Sequence, residues 1–295
     1  MSSKLRAILL GVALLLPSLV FLVMFTALPV AQTIINSFYR RNLATRNQPV
    51  WDGLGNYVRL FAADSDFWQV LTNTLFAIAI VVPISVILAF LFALLLNQRI
   101  RGIGWLRSSI FYPTILPMVS AASIWLLMFN VDFGLVNTFI KLVGGKAQNI
   151  LGTTDWALWA VSFVIIWKLT GFLMVFYLAG LQGMPTDVME AARLDGAGAW
   201  HTMRYITLPL LRGTTIFVIT VAVTNAFQTV DHLYVMTQGG PNNASNLLLF
   251  NIYETNFRFQ DSGLAYAETV VLLVLLIIFT IANTVVADQR SFDAQ

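Results

Sequence analysis

Residues 184–211 read MPTDVMEAARLDGAGAWHTMRYITLPLL, the most polar internal stretch of a chain that is 58% hydrophobic and only 11% charged. Pro185 ends the helix before it. Thr186 or Asp187 is placed to N-cap a new helix, and Glu190 puts negative charge near its start. Ala191 and Ala192 favour helix, while Gly196 or Gly198 can close it in the left-handed conformation. A second short helix runs from about Trp200 towards Leu208, before Pro209. The residues alone predict a short helix, a glycine corner and another helix lying along a membrane surface. An ordinary amphipathic connector fits that pattern equally well.

On both sides of this stretch the chain is apolar. Soluble domains carry roughly 25% charged residues, so 295 residues with 22 Phe, 8 Trp and so few charges cannot build a water-facing surface. A bilayer-crossing helix needs about 20 apolar residues. Six runs qualify: 8–30, 71–96, 108–130, 156–181, 213–230 and 269–287. Five are free of charge and the fourth contains Lys168. Prolines 17, 29, 83, 113 and 117 lie in or near these runs, which bilayer helices tolerate. Lys4 and Arg6 precede the first run as in a secretory signal, but the run is too long for a signal core and reads as an uncleaved span.

Loop charge sets the orientation. With the N-terminus cytoplasmic, the inner segments hold Lys4, Arg6, Arg99, Arg101, Arg107, Arg193, Arg204, Arg212 and Arg290. The outer segments hold Arg40, Arg41, Arg46, Arg59, Lys141, Lys146 and Arg258, spread over nearly twice the length. Both termini and the 184–212 loop are therefore expected in the cytoplasm. Residues 36–70 interleave Trp51, Tyr57, Phe61 and Trp68 with charges, as in a segment at the water–lipid interface. The expected organisation is a first span with its outer interfacial loop (1–70), a core with five spans and the polar loop (71–288), and a cytoplasmic tail (289–295).

Several function classes drop out. A net charge of +3, scattered over short loops, gives no nucleic-acid surface. The absence of cysteine removes disulfides and thiolate chemistry. There is no HExxH, no GxSxG and no pair of intramembrane acids, so no catalytic residues, metal site or cofactor are expected. His201 is expected to solvate the polar loop and His232 to lie near the outer face. A phosphate loop of the Gly-x-x-x-x-Gly-Lys type is also missing, so any ATP must be bound by another subunit. An ion-driven secondary transporter stays open as an alternative, although such folds show repeats and more midplane ionisable groups.

Glu190-Ala191-Ala192, three residues, Gly196, nine residues, then Ile206-Thr207-Leu208-Pro209 resembles the EAA loop of permeases of ATP-binding-cassette importers. Residues 51–61 (WDGLGNYVRLF), 112–130, 167–185 (WKLTGFLMVFYLAGLQGMP) and Gly239-Gly240-Pro241 are similar to the sugar-importing branch, the maltose and glycerol-3-phosphate permease type. The resemblance covers nearly the whole chain. It implies an all-α membrane protein of the type I importer permease fold, with six transmembrane helices and a cytoplasmic coupling helix. It implies ATPase coupling through Glu190, Ala191, Ala192, Asp195, Gly196 and Gly198. It further implies a second homologous permease, two cytoplasmic ATP-binding subunits and an extracytoplasmic solute-binding protein, assembled in a bacterial inner membrane. The substrate is a sugar, polyol or sugar derivative, with anionic ones such as a glycerol phosphate or sulfosugar included.

A polar group inside lipid must face a cavity or a partner helix. On the fifth span, Asn225 and Gln228 share a face with Thr224, suited to a cavity or to interhelical hydrogen bonds. Matched along the family motifs, cavity positions fall on Thr114, Met118, Lys168, Leu169, Ala222 and Ala226. The last two are apolar where the maltose type is polar, which leaves the substrate unassigned. Lys168 reads as a substrate contact or as a structural lysine paired across a subunit interface.

Overall fold

The computed structural model describes residues 3–98 and 100–289. Apart from residue 289, the tail expected over 289–295 lies outside them, as do Arg99 and Arg290 of the orientation argument. Among the described residues, five helices are long and apolar enough to cross a membrane, or six when one sharply bent pair counts as a span. The chain divides into two units, Met1–Ser65 with Ile252–Val274 and Asp66–Asn251 with Leu275–Gln295.

The first unit opens with α1 (Ser3–Leu22), which passes through a π turn at Val23–Ala27 into α2 (Leu28–Asn36). Pro29 supplies no N–H and crowds the carbonyl four residues back, and the widened turn just before it relieves that clash. No residue between 14 and 36 is buried within this chain. A two-residue antiparallel ladder follows, β1 (Tyr39–Arg40) against β2 (Val50–Trp51), and then α3 (Gly55–Leu60). The interfacial loop is held by a polar knot. Buried Asn56 donates to the carbonyls of Ser37 (2.7 Å) and Tyr39 (3.0 Å) and accepts from Arg59 (2.6 Å). Arg59 also pairs with Asp261 at 2.8 Å, and the Leu264 amide donates to the other Asp261 oxygen at 3.0 Å. Burial pushes the Asp261 carboxyl upward, but these hydrogen bonds and the Arg59 charge outweigh it and hold the group below its ordinary value. A Cβ on Gly263 would sit 2.9 Å from the Arg41 amide, so only glycine admits this approach.

The second unit is built on two long helices, α4 (Phe67–Leu96) and α8 (Thr154–Gln182), which share its most extensive helix–helix contact. On α4 the buried residues recur every three or four positions, and Ala77, Ser85, Ala89 and Ala93 among them are small. Small residues let two backbones approach in lipid, where packing rather than water exclusion drives association. Leu169, Thr170, Gly171, Leu173 and Met174 are all buried on α8, so its middle is enclosed on most sides.

The third predicted run, 108–130, is not one straight helix. It is divided between α5 (Ile103–Ile115) and α6 (Met118–Met128), bent by 102°. Pro117 holds Leu116 extended, with ψ at 135°, and offers no N–H to continue the ladder. After α7 (Leu135–Leu142) and α8 come α9 (Thr186–Leu194), α10 (Ala199–Thr202), a second π turn at Met203–Thr207 and α11 (Leu208–Leu210). These two π turns each lead into a Leu-Pro pair, Leu28-Pro29 and Leu208-Pro209, which a third π turn at Glu254–Arg258 does not. The fifth span is α12 (Arg212–Gln228), broken at Thr229 and followed by α13 (Asp231–Met236). The loop after α13 is tied to the start of α4, where Gln69 and Asn73 donate to the carbonyls of Asn242 and Asn243. The last elements are α14 (Leu248–Tyr253) and α15 (Ser262–Gln289).

Candidate functional site

The bend between α5 and α6 creates the first component of the site. Leu116 is the extended C-cap of α5, so its carbonyl lies past the end of the helical ladder and has no helical partner. Lys168 supplies one, its Nζ donating to the Leu116 oxygen. The Thr114 hydroxyl returns a hydrogen bond to the Lys168 carbonyl at 3.4 Å. Lys168 lies midway along α8, about 21 Å from either end at about 1.5 Å per residue. A charge at that depth costs on the order of 2.5–3.5 kcal/mol on insertion scales. Here the open carbonyl, the negative end of the α5 dipole and an electrostatic interaction with Asp231 offset part of it. Gly171, one turn further along α8, lets the two helices meet: a Cβ there would run into the Ile110 carbonyl oxygen and stand 3.3 Å from the Thr114 hydroxyl.

Around this contact lies a cavity of about 300 Å³, lined from α5, α6, α8, α12 and α13. It gathers Thr114, Met118, Lys168, Leu169, Asn225 and Gln228, with Ile165, Phe172, Thr229 and Asp231. Ala222 and Ala226 are buried and do not line it. Asn225 donates to the Val221 carbonyl of its own helix at 2.9 Å, and Thr224 to that of Thr220 at 2.8 Å. An interhelical bond on this span comes from Asn283, which donates to the Thr220 hydroxyl. Sequence reasoning missed Asp231, which follows the run's apparent end at residue 230. An acid three residues after Gln228 was the available signal.

The polar loop forms the second candidate region. Pro185 occupies the N-cap of α9 with no side-chain cap, so Thr186 and Asp187 fall in the first turn instead of capping as expected. Proline's fixed φ sets the helix entry without them. At the other end the Ala197 amide bonds the Ala192 carbonyl at 2.9 Å and the Gly196 amide bonds that of Arg193 at 3.2 Å. This is a complete Schellman closure. Gly196 supplies the left-handed residue, with φ +74°. Glu190, Ala191, Asp195, Gly196 and Gly198 are exposed and Ala192 is buried. Leu194 and Trp200 are 90% and 75% exposed, leaving a large apolar face open on this loop. His201 is exposed beside the Tyr205 ring, with centroids 4.5 Å apart. His232 is fully buried in α13, and neither ring nitrogen has a hydrogen-bond partner. Among the described residues, no cluster of three or more His, Cys, Asp or Glu could hold a metal ion.

Residues 55–291 match the family described as binding-protein-dependent transport system inner membrane component. The chain is 36% identical to the trehalose/maltose transport system permease protein MalF of Thermococcus litoralis, covering 94% of this chain and 93% of the relative. It is 32% identical to the lactose transport system permease protein LacF of Rhizobium radiobacter, over 89% and 88%. It is 33% identical to the sulfoquinovosyl glycerol transport system permease protein SmoG of Agrobacterium fabrum, over 90% and 86%. Its fold is similar to a chain in the crystal structure of a bacterial ABC transporter involved in the import of the acidic polysaccharide alginate. There the TM-score is 0.83 with 97% of each chain covered, and the 19% identity makes this a likeness of fold alone.

Proposed function

The chain belongs to the family of binding-protein-dependent transport system inner membrane components, and from that premise we propose that it is the permease subunit of an ATP-driven importer for a sugar, polyol or sugar derivative. The observation that carries the substrate class is its identity of 32–36%, over about nine-tenths of its length, to permeases named for trehalose/maltose, lactose and sulfoquinovosyl glycerol transport. A cavity midway along α8 that mixes hydroxyl, amide and charged groups supports the same reading. Residues 1–70 supply the first span and an interfacial loop outside the membrane, 71–288 the transporting core, and both termini lie in the cytoplasm.

In this mechanism α9 is the coupling helix. Its Schellman corner presents Glu190, Ala191, Ala192, Asp195, Gly196 and Gly198, with the apolar face at Leu194 and Trp200, to a cytoplasmic ATPase. The complete importer pairs this chain with a second homologous permease, two ATP-binding subunits and an extracytoplasmic solute-binding protein. ATP closes the ATPase pair, α9 carries that motion into the spans, and the cavity opens outward to receive the solute. Hydrolysis resets it. Mild-detergent purification of the chain from its native membrane tests the assembly. An ATP-hydrolysing subunit and a second permease are expected in stoichiometric amounts. Recovery of a homo-oligomer with no ATPase activity would overturn the proposal.

A further inference from the structure

Lys168 and Asp231 face one cavity with opposite charges. The other eight lining residues carry none, and Thr114, Asn225, Gln228 and Thr229 are the uncharged polar ones among them. An ammonium has three donors and no acceptor, whereas a carboxylate only accepts. Lys168 commits one donor to the Leu116 carbonyl and keeps the others. Asp231, at the first position of α13, is exposed. We propose that Lys168 and Asp231 form a charge-compensated pair that fixes the charge of the transported solute, so that the cavity takes an uncharged polyhydroxylated ligand and Asp231 turns away phosphate-, sulfonate- and carboxylate-bearing ones. This inference rests on the reading of the cavity as the translocation site.

The reason lies in what each ligand group can do. A sugar hydroxyl both donates and accepts. One hydroxyl can accept from Lys168 while its neighbour donates to Asp231, and Phe172 offers an apolar face to the C–H side of a ring. A phosphate or sulfonate only accepts. It would satisfy Lys168 but place like charge against Asp231, and such repulsion is how a site discriminates against a wrong partner. Lys168 alone would make the cavity an anion site, and the acid opposite reverses that preference.

The test compares wild type, Lys168→Met, Asp231→Asn and the double variant in proteoliposomes holding the chain with its partner subunits and binding protein. Labelled trehalose and lactose serve as uncharged probes and sulfoquinovosyl glycerol as the anionic one. Each single variant should lower uptake of the uncharged probe by about tenfold, equivalent to about 1.4 kcal/mol, because each strands one charge. The double variant should recover most of it, and Asp231→Asn alone should gain uptake of the anionic probe. Wild-type uptake of the anionic probe in preference to the uncharged ones overturns the proposal. If Lys168→Met lowers uptake while Asp231→Asn does not, charge compensation fails and the cavity assignment stands. If all three variants transport as wild type does, the cavity assignment itself fails. Thermal unfolding of the purified assemblies makes the same comparison without a ligand. The double variant should unfold at a higher temperature than the sum of the single losses implies, and additive losses show that the charges are not coupled.

Discussion

Lys168 donates into the Leu116 carbonyl, left open where α5 ends, so its side chain is at once a helix cap and a cavity wall. Lys168→Met keeps most of the length and apolar stem, and the importer should still assemble while uptake falls by about tenfold or more, the equivalent of about 1.4 kcal/mol. Assembly by gel filtration together with wild-type uptake would remove Lys168 from the site. Gly171 is a second point of control. Gly171→Val would force a branched side chain onto the Ile110 carbonyl, and overpacking of that kind costs about 1–3 kcal/mol. A lowered thermal midpoint is expected, and an unchanged one would contradict the close approach of α5 and α8. Asp261 gives a pH signature. Its folded-state value lies below the ordinary 3.8, so its contribution is complete above that value and is lost as pH falls through the folded one. Proteolysis of the 36–65 loop should rise below about pH 4 on this account, and Asp261→Asn should remove most of that acid step. A step that persists in the variant points to another group. At this scale Lys168 was legible as a lone charge in an apolar run. Its partners were not, because the Leu116 carbonyl becomes available only through a bend and Asp231 lies past the hydropathy boundary.

Among the elements, α9 was the easiest to read, since polar residues, two alanines and a glycine corner stand out against apolar surroundings. The structure adds the reason for glycine at 196: φ of +74° closes the Schellman turn, while nothing within 4 Å would obstruct a side chain there. The demand is conformational rather than spatial. Gly196→Ala should therefore cost about 1 kcal/mol through the left-handed backbone, with partial loss of uptake. Gly196→Asp and Glu190→Lys should abolish uptake and uncouple ATP hydrolysis from it, measured as ATPase stimulation by loaded binding protein. Wild-type stimulation and uptake in both would remove α9 from the coupling step. The 102° bend between α5 and α6 was not legible. Proline inside a span is usually tolerated, and Pro17, Pro83 and Pro113 all remain within helices here. Pro117 differs because the residue before it turns extended and the chain leaves in a new direction. No hydropathy pattern separates those cases.

For the whole molecule, composition marks the spans and loop charge gives an expected orientation, which the absence of native cysteine makes easy to test. In intact cells an impermeant thiol reagent should label Lys146→Cys and leave Ala199→Cys protected until the membrane is opened. The reverse pattern would invert the topology and place α9 on the side away from any cytoplasmic ATPase. Hydropathy could not show that the third span is broken or that the fifth ends in a break beside an acid, and these are the two features that shape the cavity. The claim that unites cavity, α9 and family is that ATP hydrolysis on a partner drives solute through this chain. It is tested most directly by uptake of the binding protein's solute into proteoliposomes carrying the complete importer, with ATP or a non-hydrolysable analogue supplied to the ATPase side. Uptake that needs hydrolysable ATP and loaded binding protein, and that is unaffected when ionophores collapse every ion gradient, is the predicted result. Uptake that continues without ATP and stops when the gradients collapse would contradict it.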